Sequence, residues 1–241
     1  MPDCSFREQD PGQMNQTQDR TTGTLLKVIR YLTCALIIKV TVSIVWNYRS
    51  YLTPDFSSDF LHERESYFFG IYQYAFYLHL VSGPCSLIFG MLLLNNRLRM
   101  RWPEWHRILG RIQAMNVLLL IVPSGLGMAV RSEGGVIAAT GFAALAVATG
   151  ICCAQGWRSA VRRRFADHRR WMMRCFALLS SAVVLRVTAG SFLVLGLDAE
   201  WIYPASAWAC WLCPLLLLEL TEHLRKGGSI KIPQPSPRHQ S

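Results

Sequence analysis

The sequence predicts an all-α fold: a polytopic bundle of about six membrane helices with both termini on the cytoplasmic side. Three observations carry this prediction. Several apolar windows exceed the roughly 18 residues needed to cross hydrocarbon. Hydrophobic residues make up 51% of the 241 residues and charged residues only 17%, against about a quarter in an average soluble domain. Finally, the net charge of +10 is concentrated in turns between apolar runs. The two main ones are RSAVRRRFADHRRWMMR at 158–174 and RWPEWHRILGR at 101–111. Charge placed this way orients a membrane protein, so the expected partners are anionic lipid headgroups and not nucleic acid.

Taken in order, residues 1–23 are polar and lack an apolar run. They are expected to be a disordered cytoplasmic tail, because no hydrophobic region of a cleavable signal follows the start. Residues 24–221 are the expected six-helix transmembrane domain. Span one covers about 25–48, with Lys27 and Arg30 able to snorkel at its start and Lys39 lying deeper. The connection 49–66 is polar and acidic, and Pro54 breaks it. Spans two and three cover about 67–94 and 108–130, and the tight turn RSEG follows at 131–134. Span four covers about 135–157, span five 171–197 and span six 201–220. Residues 222–241 form a basic cytoplasmic tail, extended by Pro233, Pro235 and Pro237. Such short connections make sequential helices antiparallel neighbours.

The loops set the orientation. The turns after spans two and four hold Lys or Arg at 97, 99, 101, 107, 158, 162, 163, 164, 169 and 170, and the C-terminal tail adds 225, 226, 231 and 238. The other side has only Arg49, Arg64 and Arg131. By the positive-inside rule, the basic turns face the cytoplasm across an inner or plasma membrane. Trp46, Trp102, Trp105, Trp157, Trp171 and Trp201 all fall at predicted span ends, the depth at which indole rings accumulate. Spans two to three and four to five form two similar hairpins: Glu104, His106 and Arg111 recur as Asp167, His168 and Arg174 at nearly matched spacing. Duplication and convergent charge placement both account for this repeat.

All Cys residues but Cys4 fall within apolar spans, which argues against a disulfide framework. Cys210 and Cys213 have the C-x-x-C spacing without a second pair, so they are expected to be buried small hydrophobes. No Gly-rich phosphate loop, H-E-x-x-H, catalytic Ser motif or carboxylate metal cluster is present. The sequence leaves open whether the protein is an enzyme.

Three motifs together resemble a known family. HLVSGPCSLIFG at 79–90, the run R-x-x-E-W-H-R-I-L-G-R at 101–111, and DHRRWMMR at 167–174 with Leu185–Arg186 beyond it are similar to a bacterial family of multi-pass membrane proteins, domain of unknown function 2306. The resemblance covers about 67–200, and Cys175 departs from it where a small polar residue is expected. It implies integral membrane location and no established activity.

The candidate site residues are the ionisable groups within the spans. His79 lies 15 residues from the basic end of span two, about 22 Å at 1.5 Å per residue. Its stripe continues with Gly83, Ser86 and Gly90, small residues that allow close packing. It should therefore face the bundle, where an ionisable group is a functional candidate; the alternative is a neutral imidazole tied to Tyr, Ser or Asn of another helix. Arg186 lies 18 residues after His168, five helical turns, and no acid lies in its own span. Its guanidinium needs a carboxylate, carbonyls or an anionic ligand from elsewhere. His106 and His168 both start helices that rise from the basic side. They are a candidate axial pair for haem, or donors to a quinone whose reduced form Arg111 and Arg174 stabilise. The structural alternative is a headgroup-level network, with Arg111 and Arg174 snorkelling or paired to Glu104 and Asp167. Gln113 and Ser124 share the His106 face of span three, at +7 and +18, and would give it a polar lining. Glu219 is expected to be interfacial and to pair with a basic turn.

Three functions follow as expectations: a binding protein for a small or lipid-like ligand lined by His79 and Arg186, a redox protein using His106 and His168, or a structural protein without a site.

Overall fold

The computed structural model describes residues 24, 28, 31–46, 48, 51, 56, 64–196 and 199–227. Among these there is no strand, and the helical runs of four or more described residues number nine. They are α1 (Tyr31–Trp46), α2 (Glu65–Phe68), α3 (Ile71–Leu94), α4 (Asn96–Arg101), α5 (Pro103–Ala129), α6 (Gly135–Val161), α7 (Phe165–Leu179), α8 (Ser181–Val194) and α9 (Ile202–Gly227). Five spans are long and apolar enough to cross a membrane: α3, α5, α6, the combined α7–α8 and α9. The predicted first span corresponds to α1, whose continuously described run is 16 residues and shorter than the other five. The predicted tail 1–23 lies outside the described residues. The predicted boundary at 222 falls within α9, which is helical to Gly227, and residues 228–241 lie outside the described residues.

Between 17% and 39% of each span's most apolar window is buried inside the protein. The remainder, including Ile71, Val136, Ile151, Leu216 and Leu217, is exposed around the perimeter. A water-soluble bundle would hide such a surface, whereas hydrocarbon solvates it without cost. The small inward-facing core joins α5, α6, α7 and α9 around Val117, Cys153, Cys175, Leu178 and Cys210. A second cluster of aromatic rings (Phe68, Tyr72 and Phe76, with Tyr51, Phe56 and Tyr77) closes the end away from the basic turns. The third, Ile37, Leu87 and Val183, brings α1, α3 and α8 together.

Each departure from a regular helix has a local cause. Gly134 has φ +81° and a Cβ there would meet the Tyr203 ring at 2.9 Å, so only glycine fits the α5–α6 turn. At the other end of α6, Arg164 N–H bonds Ser159 O (2.9 Å) and Arg163 N–H bonds Ala160 O (3.0 Å), closing a Schellman turn. Its left-handed position, φ 59°, is held by Arg163 where glycine is usual. A π-helical segment, Asn116–Ile121, interrupts α5 just before Pro123, whose missing N–H already weakens the ladder there. The predicted fifth span breaks at Ser180, next to a second serine. Ser180 Oγ donates to its own Phe176 carbonyl at 2.8 Å, back-bonding that bends helices.

Candidate functional site

Two groups of polar side chains lie along the bundle, one near each end. The group farther from the basic turns is built on α3. Pro84 has no N–H, so the Leu80 carbonyl four residues before it lacks its helical donor. The Tyr48 hydroxyl donates to that carbonyl and ties the end of α1 to α3. One turn away, Tyr77 donates its hydroxyl to the Tyr51 carbonyl at 2.7 Å.

The facing side of α3 carries His79, Ser82 and Ser86, and α5 meets it with Ser124, Asn116 and Gln113. Asn116 Nδ2 donates to Ser82 O at 3.1 Å, and Gln113 Nε2 to Ser86 O at 3.1 Å. His79 Nδ1 lies 3.0 Å from Ser124 Oγ. Ser124 donates its own proton to the Leu120 and Ile121 carbonyls, so toward the imidazole it accepts and Nδ1 carries the proton. The backbone of α5 is close here, since a Cβ on Gly125 would sit 3.6 Å from His79 Cε1. The expected cross-helix tie of His79 is thus to Ser124.

His79 and Arg186 stand at the same level of the bundle. Both lie eight residues from the non-basic ends of their helices, Ile71 and Val194, a depth of about 12 Å at 1.5 Å per residue. Arg186 is in electrostatic range of His79, Tyr48 and Tyr51. Its side chain is exposed on the protein perimeter, and no carboxylate pairs with it among the described residues. Sequence reading missed Tyr48, Tyr51 and Asn116 as members of this group. A proline four residues after Leu80 was the one available sign that a donor was required there.

At the basic end, His168 Nδ1 donates to the Gly156 carbonyl at 2.9 Å. Met172 lies against the same residue, where a Cβ would come within 2.5 Å of its sulfur. His106 is in electrostatic range of His168, and among the described residues its buried Nδ1 has no hydrogen-bond partner. The two histidines thus lie at the same end of the bundle, on α5 and α7. The arginines divide differently from expectation. Arg174 makes a two-pronged pair with Glu219 of α9, its Nη2 at 2.9 Å, and stacks 5.0 Å from the Trp171 ring centre. Asp167, the acid expected to serve it, pairs with Arg170 one turn away. Glu104 faces Arg107 at 4.0 Å, not Arg111; Arg111 is exposed. The Arg174 guanidinium is thus engaged by a carboxylate of α9.

Gln113 and Ser124 are buried against α3 while His106 sits half-buried near His168. Gln113 and Ser124, on either side of the π segment, thus share the face that their spacing predicts. Opposite the basic end, the buried Arg64 donates to Tyr72 Oη at 2.9 Å and pairs with Glu133, clasping the start of α3 to the α5–α6 turn. Among the described residues no group of three or more His, Cys, Asp or Glu is placed to hold a metal ion.

The profile of the predicted membrane protein family DUF2306 matches residues 76–221, more than half of the chain. No curated protein and no solved structure matches it.

Proposed function

We propose, from the premise that this chain belongs to the DUF2306 family of predicted membrane proteins, that it binds a small or lipid-like anion in the half of its bundle remote from the basic turns. His79 and Arg186 line the site. The membrane is the inner or plasma membrane, with the basic turns in the cytoplasm.

One observation carries this reading. Arg186 is an exposed permanent cation about 12 Å from the end of its helix, in electrostatic range of Tyr48, Tyr51 and His79, and no acid pairs with it among the described residues. Hydrocarbon penalises an unneutralised charge by at least ~2.5 kcal/mol, and an anionic headgroup with an apolar body removes that penalty. Phenols and an imidazole beside it supply hydrogen bonds without competing charge.

The test compares dodecanoate with dodecanol, equal in apolar length, by thermal unfolding in a non-ionic detergent. Dodecanoate should raise the midpoint of the wild type and leave Arg186→Leu unchanged, and dodecanol should raise neither. Equal stabilisation of wild type and Arg186→Leu by dodecanoate would remove Arg186 from the site.

A specific observation also supports a redox reading at the other end. The Gly156 carbonyl holds the proton of neutral His168 on Nδ1, which leaves the lone pair on Nε2, the arrangement metal-ligating histidines use. His106 has an unpartnered Nδ1 nearby. Imidazoles are the donor type that haem iron takes, and haem would supply one-electron chemistry when bound. A Soret band lost in His168→Ala and His106→Ala supports this reading; a haem-free preparation with no visible absorption rejects it.

A further inference from the structure

The perimeter between α5 and α6, near the basic end, contains an apolar groove of about 300 Å³ lined by Met115, Leu118, Leu119, Ala154, Trp157 and Arg158. We propose that this groove is a site for one anionic phospholipid of the basic-side leaflet, with an acyl chain in the groove and the phosphate held by Arg158 and Arg111.

Three placements support it. Arg158 is itself part of the lining, at the end where α6 meets the basic turn. Arg111 lies one turn before Met115 on α5, so its side chain shares the face that walls the groove. The two arginines are also level. Cys153 Sγ reaches Ala114 O at 4.0 Å, which aligns the antiparallel helices so that 111 stands opposite about 156, within ~3 Å of Arg158 along the axis. Both side chains are exposed, and neither guanidinium has a side-chain partner among the described residues. This differs from Arg107, Arg170 and Arg174, each of which faces a carboxylate. Trp157 completes the site with an indole at headgroup depth, where such rings settle. A groove with an apolar floor and two uncommitted cations at its mouth complements a lipid carrying one phosphate charge. A zwitterionic headgroup would bring a like charge to the same mouth.

This site is separate from the one lined by His79 and Arg186, so either can fail without the other. The full chain in nanodiscs of phosphatidylcholine doped with spin-labelled phosphatidylglycerol, or with spin-labelled phosphatidylcholine of the same chains, reports the preference directly. Wild type should prefer phosphatidylglycerol. Arg158→Gln and Arg111→Gln should each weaken that preference about fivefold, the effect of one surface cation on an anionic headgroup, and the two together about 25-fold. Arg111→Lys with Arg158→Lys should restore most of it, which also shows that the positions tolerate substitution. Leu119→Trp, which fills the groove and keeps both charges, should abolish the immobilised component. Four results would overturn the proposal: no preference in the wild type, an unchanged preference in the double Gln variant, an equal loss in Arg162→Gln, or displacement of the labelled lipid by millimolar inorganic phosphate. The third would mean diffuse charge attraction and the fourth a free-anion site.

Discussion

Tyr48→Phe removes a single oxygen whose partner is a main-chain carbonyl. Pro84 deprives Leu80 O of its helical donor, and the Tyr48 hydroxyl replaces it. Interhelical hydrogen bonds in bilayers average ~0.6 kcal/mol and reach ~1.7 kcal/mol. Because this acceptor has no donor in its own helix, the loss should fall near the upper limit, about 1.5 kcal/mol. Pro84→Ala returns an N–H to α3, and in that background Tyr48→Phe should cost only about 0.5 kcal/mol. The pair should therefore show a coupling of about 1 kcal/mol in a double-mutant cycle. Reversible unfolding of the four proteins in mixed micelles, titrated with an anionic detergent and followed by far-UV circular dichroism, supplies the numbers. An identical Tyr48→Phe cost in the wild-type and Pro84→Ala backgrounds would refute the reasoning, because the hydroxyl would then be acting elsewhere.

Other expectations follow from the packing. Gly90→Ala places a Cβ 2.5 Å from the Phe176 ring, so it should destabilise by about 1–3 kcal/mol, and Phe176→Leu in the same chain should recover most of the loss by melting temperature. Arg163→Gly relieves a left-handed φ of 59° and should raise stability by up to about 1 kcal/mol in the same unfolding assay; a loss of that size would show that the guanidinium, not the turn, matters there. Arg174→Leu should cost about 1 kcal/mol, since both partners are partly exposed and screened, and Glu219→Leu added to it should cost little more. A sum of two full penalties would mean that the residues do not act as a pair.

Much of the architecture could be read from composition, because bilayer thickness and the siting of arginines constrain a chain strongly and locally. Arg186 stood out for the same reason: the absence of acids in its span is visible in one dimension. Its neighbours were not, because Tyr48 and Tyr51 come into electrostatic range from a segment more than a hundred residues earlier. The assignment of Arg174 to Asp167 followed sequence distance. The fold gives Asp167 to Arg170, three residues on and on the same face, and delivers Glu219 from α9. Face arithmetic along α5 held for Gln113 and Ser124, which both turn to α3 although the π segment lies between them.

The seam between α3 and α5 also bears on how the protein is made. Gln113 and Asn116 are costly amides to release into hydrocarbon alone, and their acceptors are main-chain carbonyls of a helix synthesised earlier. A ribosome delivers α3 first, so each amide emerges with its partner already seated in the bilayer. Biogenesis is thus favoured by chain order itself, and a circular permutant that presented α5 ahead of α3 should insert poorly although its finished fold would be identical.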